Sequence, residues 1–156
     1  MQKKNSRGRN QSFDRFQPQL QYVQNQRKEH LNRSAPFKKA LWHRGLRFRK
    51  NSKVYGHPDI AIKKYRIAIF CDGDFWHGYD WENREKNIKT NRDYWIPKIE
   101  RNIEKDTEVN FVLRNMGWTV IRVWEHEIRK DLPDTADMIV RIVKEKQRLK
   151  DQHPEK

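Results

Sequence analysis

Apolar residues are scattered over positions 1 to 33 without a sustained period, and from residue 34 onwards they fall into helical and alternating patterns. Ser34-Ala35-Pro36 reads as an N-cap with a first-turn proline, and Phe37, Ala40 and Leu41 follow at helical spacing up to Gly45, predicting a helix over about 35–44. Leu46-Arg47-Phe48-Arg49 alternates apolar and basic, the signature of a half-exposed strand. Asp59 to Ile62 and Arg66 to Cys71 read as strands joined by a turn at Lys63-Lys64-Tyr65, the second apolar enough to be central in a sheet. After a loop from Gly73 to about Arg92, Asp93 is placed to cap a long helix reaching Met116, with Pro97 in its first turn. Trp95, Ile99, Ile103, Val109, Leu113 and Met116 make its apolar stripe. Gly117 ends that helix and Trp118 to Trp124 is a strong strand; a last amphipathic helix over about 134–149 carries Ala136, Ile139, Val140, Ile142 and Val143. The order α, β-meander, α, β, α, with no internal repeat, predicts a layered α/β domain with a mixed sheet over 34–149, followed by a charged tail over 150–156.

Charge narrows the partners. The chain has 35 Lys and Arg against 21 acids, a net charge of +14, so its field attracts a polyanion, and nucleic acid leads. Eight of those cations and only two acids fall in residues 1–33, a Gln- and Asn-rich arm that reads either as a disordered extension or as a segment that orders on DNA. No apolar run approaches the roughly 18 residues of a membrane span and no signal-peptide core follows the start, which predicts a soluble, cytoplasmic protein. The one cysteine, Cys71, rules out an intrachain disulfide and reads as a buried strand residue.

Candidate chemistry concentrates where the central strand runs out. Ile67-Ala68-Ile69-Phe70-Cys71-Asp72-Gly73-Asp74-Phe75-Trp76-His77 passes from an apolar strand into carboxylates, aromatic rings and an imidazole, and Asp59 opens the preceding strand. Phosphodiester hydrolysis needs a hard cation and a base for water; Asp59 and Asp72 offer oxygen ligands and His77 can take the proton. The plainer alternative is a turn, since Asp-Gly is a common turn dipeptide. Asn102 and Asp106 share a helix face beside the Ile99/Ile103 stripe, either reaching over the sheet edge towards Asp59 or simply solvated. Phe75 and Trp76 in a polar loop, with Trp95 at the start of the long helix, are candidates for wedging between base pairs, with core packing as the alternative for all three. Lys89, Arg92, Lys98 and Arg101 would follow phosphates nearby.

Four blocks, in order, carry a resemblance: Gly56-x-Pro58-Asp59-Ile60; Ala68-Ile69-Phe70-x-Asp72-Gly73-x-Phe75-Trp76-His77-Gly78; Thr90-Asn91-x-x-Tyr94-Trp95-x-x-Lys98-Ile99-x-x-Asn102-x-x-x-Asp106; and Gly117-Trp118-x-Val120-x-x-Val123-Trp124-Glu125. Over roughly residues 34 to 130 the chain resembles the Vsr very short patch repair endonucleases, a branch of the PD-(D/E)XK group. The resemblance implies a restriction-endonuclease-like mixed sheet flanked by helices and a Mg²⁺-dependent enzyme (Mn²⁺ a substitute) that nicks one strand of duplex DNA beside a T:G mismatch, with mismatch-repair proteins as candidate partners. It implies that Asp59 and the backbone carbonyl of Cys71 bind the metal and that His77 is the general base. Asp72, Asn102 and Asp106 would hold the metal's water, and Phe75, Trp76 and Trp95 would intercalate.

The chain also departs from that pattern. Where many members hold zinc through Cys and His, it has Asp74, Tyr79, Trp81 and His126, a set too poor in thiolate for a tetrahedral site, which predicts no structural zinc. Where the first helix should offer a Glu, it has Phe37, leaving Glu29 as a substitute acid, a weakened enzyme, or a retuned role. Two rival functions follow: a restriction or mobile-element nuclease with another target, and a DNA-binding protein on a decayed nuclease scaffold.

Overall fold

A computed structural model describes residues 11–49 and 53–154. The first ten residues of the expected arm and the last two of the charged tail lie outside the described residues. The chain divides into one unit ending at Asn32 and another beginning at Arg33.

The second unit is built on a three-stranded sheet of order β1-β2-β3, comprising β1 (Ile60–Ile62), β2 (Ile67–Asp72) and β3 (Thr119–Trp124). β1 pairs antiparallel with β2 across a 3-10 turn at Lys63–Tyr65, while β2 and β3 run parallel from Ile67↔Thr119 to Asp72↔Trp124. A parallel pair requires a crossover, which the long helix between β2 and β3 provides. All six residues of β2 are buried, as a strand covered on both faces must be. Ile67, Ile69 and Cys71 face a core completed by Phe37 and Leu41 of α1 (Gln11–His43) and by Ala136, Ile139, Val140 and Val143 of α5 (Leu132–Gln152). Ala68 and Phe70 face a second core with Val109 and Leu113 of α3 (Arg92–Asn115). The result is the expected mixed sheet flanked by helices.

Several boundaries differ from the pattern-based expectation. Helix α1 begins at Gln11, not near residue 35, so Ser34 is a buried helical residue and no N-cap. Gln, Arg, Glu, Lys and Leu have good helix propensity even where no apolar stripe marks them. The alternation at Leu46–Arg49 holds in burial, but only Arg49 bridges the sheet, at Ala61. The α3 cap position is Asn91 (φ 52°) and not Asp93, which sits in the first turn and complements the helix dipole. Pro97 lies in the second turn, where the Asp93 carbonyl loses its amide partner. Met116 is the C-cap and is exposed, and Ile142 is half out of the α5 stripe. Helix α5 starts at Leu132 because the Asp131 carboxylate accepts the Asp134 N–H at 3.0 Å, and it runs through Gln152 into the expected tail.

Two short helices were invisible to periodicity, α2 (Trp81–Arg84) inside the long loop and α4 (Glu125–Lys130) directly after β3. The chain enters α4 where Glu127 accepts the Trp124 N–H at 2.8 Å. At the far end of α3, Trp118 N–H reaches Leu113 C=O at 2.9 Å and Gly117 N–H reaches Arg114 C=O at 3.0 Å, with Gly117 at φ +81°. That is a Schellman stop, and it aims β3 back along β2.

Candidate active site and nucleic-acid interface

The C-terminal end of β2 and the middle of α3 assemble the site. The last antiparallel pair of β1 and β2 is Ile60↔Ile69, so the Cys71 amide lies beyond the ladder, and the Asp59 carboxylate takes the place of a strand partner, accepting the Cys71 N–H at 2.7 Å. The Cys71 side chain points into the core, and burial, with Asp59 adding to it, pushes its thiol well above the ordinary range. Its thiol is therefore packing; only its backbone faces the site.

One residue on, Asp72 is buried and half encircled by Arg122, whose Nη1 donates to Oδ1 at 3.0 Å and Oδ2 at 2.9 Å. His77 enters from the loop after β2, closed by a His77 N–H to Gly73 C=O bond of 3.1 Å and a Tyr79 N–H to Asp74 C=O bond of 2.9 Å. Gly78 lets that loop press onto α3: at φ +67° a Cβ would stand 2.4 Å from Ile103 Cδ1. The contact sets His77 Nδ1 2.5 Å from Asp106 Oδ2 and 3.8 Å from Asp72 Oδ1. An ionised carboxylate only accepts, so the shared proton sits on Nδ1 and the neutral ring offers Nε2 as a base.

Burial works against a charged imidazole at His77, but the Asp106 hydrogen bond and the charges of Asp72 and Asp106 outweigh it and raise its pKa above 6.5. Burial also raises the Asp72 pKa, against the pull of His77 and Arg122.

Asp72, His77 and Asp106 place ligand atoms within 4.8 Å of one another, a group able to hold a metal ion. Asp59 stands outside that group, anchored at the neighbouring peptide. Asn102 turns towards the aromatic loop and donates to the Trp76 carbonyl at 2.9 Å. Sequence reasoning missed Arg122 and its second anchor, Asn110, whose Oδ1 accepts from Nε at 2.8 Å. The available signal was a lone arginine inside an apolar strand, which burial obliges to find an acid.

The three expected aromatic residues come together. Phe75 lies 4.8 Å from Trp76 and 5.8 Å from Trp95 between ring centroids, Trp76 and Trp95 are 5.4 Å apart, and Tyr94 extends the cluster. Phe75 is 41% exposed and Tyr94 44%. Phe75, Trp95 and exposed Lys89 also line a groove of about 470 Å³ with Tyr79, Trp81 and Arg84. Arg92 donates to the carbonyls of Glu85 and Ile88, Arg101 to that of Pro97, and Lys98 to the Tyr94 hydroxyl. These three cations therefore brace local structure, and Lys98 also stands 5.4 Å from the centroid of the Tyr94 ring.

Of the positions weighed for zinc, His126 Nδ1 and Asp74 Oδ1 are bonded to each other at 2.9 Å, and the Tyr79 ring lies against the imidazole with centroids 4.4 Å apart and planes tilted by 50°. Phe37 is fully buried in the core below β2, and Glu29 is an exposed residue of the other unit. No helix of the described residues is long and apolar enough to cross a membrane.

A family model described as DNA mismatch endonuclease Vsr matches residues 20–83. The type II nicking enzyme V.NmeDIP of Neisseria meningitidis serogroup C is 49% identical over 112 residues, 71% of this chain and 76% of the relative. The type II nicking enzyme V.HpaIIP of Haemophilus parainfluenzae is 49% identical over 94 residues, 60% of this chain and 67% of its own. The DNA mismatch endonuclease Vsr of Escherichia coli K12 is 36% identical over 86 residues, 54% of each chain. With the sheet, the acid cluster and the aromatic loop in place, this similarity makes the chain a member of the Vsr family of DNA endonucleases.

Proposed function

We propose that the protein is a Mg²⁺-dependent endonuclease that nicks one strand of duplex DNA at T:G mismatches. The observation that carries this reading is the Asp59 carboxylate anchored at the Cys71 amide, one residue from the Asp72–His77–Asp106 contact. The oxygen-rich donor set fits a hard divalent cation, with Asp59 and the Cys71 carbonyl as its holders and Mn²⁺ as a substitute. Such a cation, when bound, polarises the scissile phosphate and offsets the charge that develops on it. His77 Nε2 takes the proton of the attacking water, and Asp106 on Nδ1 keeps the ring oriented and stabilises the imidazolium. Asn102 fixes the Trp76 carbonyl and so the pose of the aromatic loop. Phe75, Trp76 and Trp95 enter the stack where a mismatch has weakened it, and Lys89, Arg92, Lys98 and Arg101 hold the flanking phosphates.

The higher identity to relatives named type II nicking enzymes favours a second reading, a restriction-linked nickase with a target of its own. Nicking of T:G and fully paired duplexes by wild type, Asp59→Ala and His77→Ala tests both. We expect Mg²⁺-dependent nicks beside T:G and a loss of about 10²- to 10⁴-fold in each variant. Equal cutting of paired DNA would move the assignment to the second reading, and full activity in Asp59→Ala would remove the proposed metal site.

A further inference from the structure

Arg122 is a cation set between Ile121 and Val123 of β3, and its contacts run into the site. Register places it beside Phe70 of β2, and its guanidinium lies 4.3 Å from the centroid of that ring. Nη1 holds both oxygens of Asp72 and stands 3.6 Å from Asp106 Oδ1, while Nη2 donates to the Asp106 carbonyl at 3.5 Å and Nε to Asn110. Its side chain is 16% exposed and that of Asp72 4%.

Pairing two groups so far from water is a poor route to stability compared with an apolar pair of the same volume. Pure packing would be served by a Leu or Ile at 122. What the arginine adds is geometric: planar, always charged and five-donor, it ties β2, β3 and α3 together at a single point. Asp106, touched by Arg122 at both its carboxylate and its carbonyl, is the residue that fixes His77.

We propose that Arg122 is a positioning residue for strand cleavage. It is the resident cation of the Asp72–Asp106 pair and acts through Asp106 on the orientation of the His77 ring. This rests on the reading of His77 as the base.

The test is Arg122→Gln in the full chain, read in single-turnover nicking, in DNA affinity measured in EDTA, and in the line shapes of the His77 ring resonances. The expected result is a rate about 10- to 100-fold lower, affinity within about threefold of wild type, and broadened His77 signals. Arg122→Lys, with the charge but without the fork, should fall between. If Arg122→Gln loses its cooperative melt, Asn110→Ala carries the test, since it releases only Nε; a rate about threefold or more lower with intact DNA affinity is expected. A wild-type rate in whichever variant folds, or affinity falling in step with rate, overturns the proposal. His77→Ala nicking normally would instead overturn the base assignment, whereas an inactive His77→Ala beside a fully active Arg122→Gln sinks Arg122 alone.

Discussion

His77 is where local chemistry and pH meet. In the proposed role of base His77 must be unprotonated, and burial, which opposes the charged ring, is outweighed by Asp106 and Asp72, which raise its pKa above 6.5. Nicking should therefore rise with pH through a value above 6.5, and Asp106→Asn, by removing the bond that favours the charged ring, should move that limb to lower pH while slowing the plateau. A pH–rate profile under single-turnover conditions checks both. The same shift has a stability consequence of definite sign. Because the folded pKa is raised, its contribution is fully present below pH 6.5 and is lost as pH climbs through the folded value. Melting temperatures of metal-free wild type should fall over that window, and those of His77→Gln should fall less.

At the scale of elements, α3 is the organiser. Asn102, Asp106 and Asn110 stand four residues apart on one ridge, and each holds a different part of the site: the aromatic loop, the His77 imidazole and the buried arginine. The loop keeps its place because Gly78 lacks a side chain. Gly78→Ala meets both a positive φ and Ile103, and is expected to cost about 1–3 kcal/mol and to slow nicking as His77 is displaced; a denaturation midpoint and a nicking rate measure it. Trp95, near the start of the same helix, belongs to the aromatic cluster with Phe75 and Trp76. Trp95→Ala should weaken binding to a T:G duplex by roughly 5- to 150-fold, the worth of one stacked base. Of this element the chain showed the apolar seam and the Asn102/Asp106 pair. It did not show Asn110, because a lone polar residue on a helix announces no partner until a strand is laid beside it.

For the whole molecule, the +14 charge makes binding a counterion-release process, so affinity should fall steeply and linearly in log–log salt plots. Lys89→Ala should weaken matched and mismatched duplexes alike and reduce that slope by about 1. The sheet is a second global determinant: Ile69, fully buried in the central strand, should lose about 2–5 kcal/mol on truncation to Ala, read as a drop in unfolding free energy.

Period and composition alone determined the three sheet strands, the two long helices α3 and α5, the burial of Cys71 and the pull towards a polyanion, because alternation, apolar runs and net charge are properties of neighbours along the chain. Residues as far apart as Asp59, His77 and Asp106 were recognisable as candidates by type and motif. Their arrangement was not: that Asp59 seats on the Cys71 amide was settled by the antiparallel pairing of β1 with β2, and that Asp106 grips Nδ1 and an arginine fifty positions after Asp72 neutralises it were settled only when a parallel crossover laid β3 against β2 and packed α3 across them. Burial decided these pairings, since a charge removed from water must find its partner wherever the fold has brought one.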